Sequence, residues 1–391
     1  MLRSLNTGIA GLRAHQTMLD VTGNNIANVN TTGFKASSTQ FQDTLSQLTQ
    51  AGAAPDQQVG GTNPAQVGLG VQVAGISTNF AQGSTQVTGR ATDMAISGDG
   101  FFVVNKGGNT FFTRAGAFDF DSNGNLVTPD GAIVQGWPAV GGVVNAGGPV
   151  QNIGLPGAAT TAAQATTGVT LGGNLPSDAA PGTEVVRDVE VFDALGESVT
   201  LTLAFTKAAT GNSWNVQGSD STGATGNTTL TFANGGYSGG AINVGGVTVD
   251  LADLTGYADL STLKVTDKDG RQAGTLTSFS IGPDGTLVGS FSNGVREPIG
   301  QVALATFDNP GGLEKSGNSL YAATVASGGA MVGEAGTDGL GTLVGGALEM
   351  SNVDLSQEFT NLIVAQRGFQ ANSRVITTSD EVLNELVNLK R

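Results

Sequence analysis

Apolar residues recur every seven positions at both ends of this chain and almost nowhere in between. From Leu2 to about Ala27, Leu5, Leu12, Leu19 and Ile26 form one row, with Leu2 and Ile9 beside it. This is an a/d seam, weakened by Gln16 and Gly23 where the second row should continue. Asn30-Thr31-Thr32-Gly33 reads as the stop. At the other end Leu355, Leu362, Phe369, Ile376 and Leu383 keep the same spacing. Phe359 and Val387 lie in a second row, with Gln366, Ser373 and Asp380 between them. The pattern predicts a helix from about Asn352 to Lys390. Ser351 would cap it, Asp354 would sit in its first turn, and Met350 and Leu355 would staple it. Lys390 and Arg391 suit the negative end of its dipole. Such a helix is roughly 55–60 Å long at ~1.5 Å per residue. A stripe that long needs a partner of equal length, and the N-terminal helix covers only part of it. A helical hairpin closing one domain explains a shorter stripe. The excess predicts self-assembly through Leu5, Leu12, Leu19, Ile26, Leu355, Leu362, Phe369, Ile376 and Leu383. Unlike patches meeting without rotational closure build an open helical tube.

The pattern in the middle is different. Phe101–Val104, Val189–Phe192, Val199–Phe205, Thr228–Phe232 and Ile299–Phe307 are strand-like, with Asn-Gly, Asp-Gly and Gly-Gly turns between them. Residues 119–127 and 280–288 echo each other as strand, Gly turn, strand. Residues 154–182 are rich in Ala, Thr and Gly and read as a boundary. The strand character of Phe101–Trp137 returns at Phe279–Tyr321. The fold class is therefore α+β, mainly β, with nested discontinuous domains: paired terminal coiled-coil helices and two β-rich domains in the middle. Residues 1–33 and 351–391 form the terminal assembly domain, and 34–70 a connecting segment. Residues 71–153 and 276–350 form an inner β domain, and 154–275 an inserted outer one.

Composition narrows the chemistry. The 391 residues hold no Cys and one His, which excludes disulfides, Cys-ligated metals and thiol nucleophiles. Lys+Arg 17 against Asp+Glu 32 gives −15, which opposes capture of nucleic acid or an anionic membrane. No apolar run is long enough for a membrane span, and Arg3 and Arg13 interrupt any signal-peptide core.

Three motifs have plainer readings than their chemistry. Asp119-x-Asp121-x-Asn123-Gly124, ending at Asp130, resembles a calcium loop, but Val127 holds position nine and the flanks read as strands. A hairpin turn explains the same letters. Gly236-Tyr237-Ser238-Gly239-Gly240 fits a nucleophile elbow, yet the only His, His15, precedes it and sits in the N-terminal heptads. Scattered acid pairs would need stacking aromatics to serve a glycosidase, and there are two Trp, Trp137 and Trp214. No catalytic, cofactor or metal residue is assigned.

The stretch Leu19 to Lys35, which contains Asn24-Asn25-Ile26-Ala27-Asn28, resembles a signature of the bacterial flagellar rod and hook proteins. Ile96-Ser97-Gly98-Asp99-Gly100-Phe101-Phe102, Phe112-Thr113-Arg114-Ala115-Gly116, Ser351-Asn352-Val353-Asp354-Leu355 and Gln366-Arg367-Gly368-Phe369-Gln370-Ala371-Asn372 are similar to that family too. The presence of a large insert, though it carries no matching motif of its own, and Ile299–Phe307 followed by Asn309-Pro310-Gly311-Gly312-Leu313 are similar to the hook type rather than the rod type. The resemblance implies a non-enzymatic subunit of a curved, flexible tube that carries motor torque to the filament. It implies export without a cleavable signal peptide, and an extracellular place in the flagellum. The implied partners are further copies, the flagellar rod, hook cap and hook–filament junction proteins, and the type III export apparatus. A distal rod protein with an enlarged insert is the near alternative. A secreted β-rich binding protein is the distant one.

Overall fold

The computed structural model describes residues 2–55, 60–155, 160–237 and 239–388. Ser238, Lys390 and Arg391, named above, lie outside the described residues. Helix α1 spans Leu2–Ala27 and helix α2 spans Leu355–Asn388. The described residues between them form strands, turns and loops, with one short 3-10 turn among them at Pro310–Gly312.

Local chemistry sets the helix limits. After α1, Asn28 Nδ2 donates to the Asn24 carbonyl at 2.9 Å and the Thr31 N–H to the Asn28 carbonyl at 3.1 Å. Gly33 follows at φ 68°, where a Cβ would lie 2.4 Å from the Ala115 nitrogen, so only glycine fits. The start of α2 corrects the sequence reading. Asp354, not Ser351, is the cap: its Oδ1 accepts the N–H groups of Ser356 at 2.8 Å and Gln357 at 3.3 Å. Ser351 Oγ instead accepts from Val353 N–H in the turn before the helix. A cap at Asp354 moves the staple positions off Met350 and Leu355, because the staple flanks the cap itself.

The described chain forms two compact units: Met1–Pro156 with Ser280–Val288 and Pro298–Arg391, and Gly157–Phe279 with Gly289–Glu297. Residues 276–279 and 289–297 thus fall with the second unit and 154–155 with the first, whereas the sequence division placed 276–350 in the inner β domain and began the insert at 154. Within that unit Arg271 pairs with Glu297 at 2.8 Å, and Asn293 Nδ2 donates to Thr161 Oγ1 at 2.8 Å.

The first unit explains its apolar run by period-two alternation with both faces covered. In strand Phe101–Lys106, Phe102 and Val104 enter one buried cluster with Met94, Leu126 and Leu304. Phe101 and Val103 enter another with Phe112, Trp137 and Tyr321. The two echoing segments adopt the same turn. Asp121 N–H bonds the Asn125 carbonyl and Gly282 N–H the Thr286 carbonyl, with Gly124 and Gly285 both at φ 82°. Each turn delivers a leucine, Leu126 or Leu287, to the same cluster. Residues 34–70 are more than a connection. Ser37–Asp43 pairs with Val71–Thr78, and Ser46–Gln50 with Ala65–Gly68, both antiparallel.

In the second unit Glu184–Phe192, Ser198–Lys207, Ser213–Asp220 and Thr225–Ala233 form an antiparallel meander. Gly168–Asn174 runs parallel to Val247–Thr255. Leu201, Leu203 and Phe205 alternate into a core around Trp214.

Candidate assembly surface

The two terminal helices pack against each other, running antiparallel. Gly8 lies opposite Ile376, Gly11 opposite Asn372, and Gly368 against the His15 ring. Near the other end Asn25 Nδ2 donates to Glu358 Oε1 at 3.1 Å. Leu5, Leu12, Leu19 and Ile26 on α1, and Leu362, Phe369, Ile376 and Leu383 on α2, are half-buried, while Leu355 is exposed. None of the nine is fully covered.

Among the described residues the fully buried helix positions are small or polar: Gly8, Gly11, Ala14, Thr22 and Asn25 on α1, and Ala365 on α2. Steric contact is closest at the glycines. A Cβ on Gly11 would stand 2.6 Å from Asn372 Oδ1, and one on Gly368 2.4 Å from the His15 ring. Heptad reading passed over this seam because glycine and alanine add little to an apolar pattern. Its signal was present in the spacing of Gly8, Gly11 and Ala14.

Close approach through small residues leaves larger ones uncovered. On α2, Leu355, Phe359, Ile363, Val364, Val375, Val382 and Val387 are 39–69 % exposed. Apolar residues exposed along so much of one helix are the kind of surface that a further molecule can cover. Among the described residues no helix is long and apolar enough to cross a membrane.

The chain between helices and β unit is fixed by buried charge. Lys35 and Glu349 are fully buried and paired at 2.6 Å, and Arg114 reaches Glu349 Oε2 at 3.5 Å. Lys35 Nζ also donates to the Ala81 carbonyl, Gly83 N–H to Glu349 Oε1, and Arg114 to the Gly98 carbonyl. Burial pushes the Lys35 ammonium and the Arg114 guanidinium below their ordinary pKa values, opposed by Glu349. Burial raises the Tyr321 hydroxyl to about 12. Asn352 adds a neutral clamp: Oδ1 accepts Ala36 N–H at 2.8 Å, and Nδ2 donates to the Asn79 and Ala81 carbonyls. Asn25 holds Ser37 through both its N–H and its carbonyl. The two chain ends, distant in sequence, are thus tied into one junction.

The plainer readings of the motifs acquire detail. Asp121 Oδ1 accepts the N–H groups of Asn123 and Asn125, and Asp130 pairs with Lys106 at 2.8 Å. Among the described residues no acid or His cluster has the arrangement of a metal site. Trp137 and Trp214 are core residues and present no stacking face.

A hairpin of long helices with uncovered apolar residues, tied to a β-rich body by turn and clamp residues, has the architecture of a subunit of an axial assembly. Three family descriptions match: "Flagella basal body rod protein" over residues 5–35, "Flagellar hook protein FlgE/F/G D1 domain" over 95–171, and "Flagellar basal body rod FlgEFG protein C-terminal" over 344–389. The chain belongs to the flagellar hook protein FlgE family. It is 41 % identical to the flagellar hook protein FlgE of Borreliella burgdorferi, over 100 % of both chains. It is 38 % identical to that of Salmonella typhimurium, over 99 % of this chain and 100 % of the relative. The flagellar basal-body rod protein FlgG of Bacillus subtilis is 35 % identical over 100 % of both. The crystal structure of Helicobacter pylori flagellar hook protein FlgE2 shares the fold. Its TM-score is 0.50 at 14 % identity, and the match covers 68 % of this chain and 99 % of that one.

Proposed function

We propose that this chain is a structural subunit of the bacterial flagellar hook, polymerising into a curved, flexible tube that transmits motor torque to the filament. The observation that carries the reading is the exposed apolar face of α2, which α1 leaves uncovered. Copies covering that face for one another add the same contact at every step, and a non-closing contact extends as a helical tube. The half-buried rows from Leu5 to Ile26 and from Leu362 to Leu383, with Leu355, contribute to both the intrachain pair and the contact between copies. The Lys35–Glu349–Arg114 junction makes each helix hairpin move with its β unit, which a torque-bearing subunit needs. The protein turns over no substrate and uses no cofactor. It leaves the cell through the flagellar type III export apparatus and lies outside the cell. It meets the flagellar rod, hook cap and hook–filament junction proteins.

One observation favours a second reading, a distal rod subunit: the full-length likeness to the Bacillus subtilis rod protein. Negative-stain imaging of the purified chain under polymerising conditions tests the main reading, with curved tubes expected. Dispersed particles at every concentration would overturn assembly, and uniformly straight tubes would favour the rod.

A further inference from the structure

Beside the C-terminal half of α1 lies a cleft of about 760 Å³. Its apolar lining is Val21, Phe34, Ile76 and Leu320, and Lys315 stands among them. The Lys315 ammonium lies 5.3 Å from the Phe34 ring centre and donates to Ser37 Oγ at 2.8 Å, with the Lys35 carbonyl at 3.4 Å. An ammonium has three donors, so one is left for a further acceptor. Lys315 takes part in none of the ion pairs among the described residues. Burial lowers its pKa and no carboxylate counters the shift. Asp20 is the one carboxylate lining the cleft, and it is exposed on α1. Lys315 itself is exposed, so this cation is open to a second molecule, in a chain of net charge −15.

The opposite chemistry sits at the far end of the same helix pair. Asp380, Glu381 and Glu385 are exposed near the end of α2, with no basic residue between Arg374 and Asn388. Glu381 and Glu385 are one turn apart, so their like charges repel until a cation joins them. Val382, between them, is 44 % exposed. A chain cannot bring its own tail to its own cleft. Gly8 lies opposite Ile376 and Asn25 pairs with Glu358, so Glu381 is level with the start of α1. The cleft at Asp20 is then about 25 Å away along the axis at ~1.5 Å per residue.

Resting on the assembly reading, we propose that the cleft receives the acidic α2 tail of a second copy, with Glu381 or Glu385 pairing with Lys315 and Val382 entering the apolar lining. Two unlike patches at opposite ends of one hairpin make a head-to-tail contact, the kind that propagates rather than closes.

The test uses the full-length chain and its critical concentration for tube formation, read by sedimentation and negative stain. Lys315→Glu, and separately Glu381→Lys with Glu385→Lys, should each raise that concentration by roughly 10–100-fold. The combined variant should return towards wild type. In wild-type tubes, a zero-length carbodiimide should join Lys315 of one chain to Glu381 or Glu385 of another, and dilute monomer should show no such product. Lys315→Glu polymerising like wild type, a combined variant without rescue, or tubes lacking the cross-link would each overturn the contact. The cross-link needs no variant, so it decides the matter even where a substitution disturbs folding. Wild-type chain that forms no tubes sinks the assembly reading itself, whereas tubes that fail these arms sink this contact alone.

Discussion

Helix α1 lies between two layers, whereas α2 has one extensive partner. Along α1 pack both α2 and the paired strands Ser37–Asp43 and Val71–Thr78. Thr7 Oγ1 reaches the Leu69 carbonyl, and the His15 and Phe41 rings stand 5.9 Å apart. Against α2 lies α1. The outcome shows in burial: among the described residues five on α1 are fully covered, Gly8, Gly11, Ala14, Thr22 and Asn25, against Ala365 alone on α2. Two helices with similar heptad rows therefore have different tasks. α1 has more of its surface used within the chain. In the proposed assembly, α2 keeps exposed apolar residues for another copy.

Matched substitutions on the two helices should separate these tasks. Ala14→Asp places an unpaired carboxylate in the buried seam and should destabilise the helix pair by about 3–5 kcal/mol. Helical circular dichroism of the dilute monomer should fall. Ile363→Asp sits on the exposed face and should leave that signal intact. It removes about 2–3 kcal/mol of apolar burial per added subunit, so the critical concentration should rise by ~10²-fold. Ile376 is the wrong residue for such a test, because its side chain packs on Gly8 and serves the intrachain pair as well. If Ile363→Asp melted the monomer helix, or if Ala14→Asp touched only assembly, the division of labour would be wrong.

A smaller effect probes how closely the helices approach. Gly368→Ala forces a methyl into the His15 ring and should cost about 1–3 kcal/mol through overpacking. His15→Ala combined with it should recover much of the loss, since the ring is the obstacle. A double variant no more stable than Gly368→Ala would show that the helices do not meet through that pair.

The heptad rows and strand runs were legible because they are periodic and apolar. Phe101-Phe102-Val103-Val104 announced a strand, and burial on both faces explains its lack of polar alternation. What stayed hidden lacks a local signature. Lys35 and Arg114 stand inside recognisable motifs, yet nothing near either one names Glu349 as their shared partner. The small-residue seam was hidden differently. Gly8 and Gly11 on α1 and Gly368 on α2 matter for the bulk they lack, and only the residues they face, Ile376, Asn372 and His15, reveal the need for space. The cap of α2 was misplaced by three residues because Ser351 and Asp354 are both good caps. The Asn352 clamp, which bonds Ala36, Asn79 and Ala81, holds the chain extended through Ser351 and lets the helix begin only after Asp354.

That cap supplies the mildest test of the contrast between the helices. α1 has no acidic residue in its first turn, whereas α2 begins with Asp354 and carries Glu358. Asp354 Oδ1 accepts two otherwise unpaired N–H groups, and its charge suits the positive end of the helix dipole. Asp354→Ala should therefore cost about 1 kcal/mol, within the ~0.5–2 kcal/mol span of cap removals. The loss should stay local. The first turn carries Leu355, Phe359 and the Glu358 that receives Asn25, so its fraying weakens both the uncovered face and one intrachain bond. Hydrogen exchange at the Ser356 and Gln357 amides should quicken several-fold, since ~1 kcal/mol is about a fivefold change in an opening equilibrium. Asp354→Asn keeps an accepting oxygen and should retain most of the protection. Ser351→Ala should leave both amides unchanged, because its hydroxyl bonds Val353 instead. Equal quickening in Ser351→Ala and Asp354→Ala would return the cap to Ser351 and begin α2 three residues earlier.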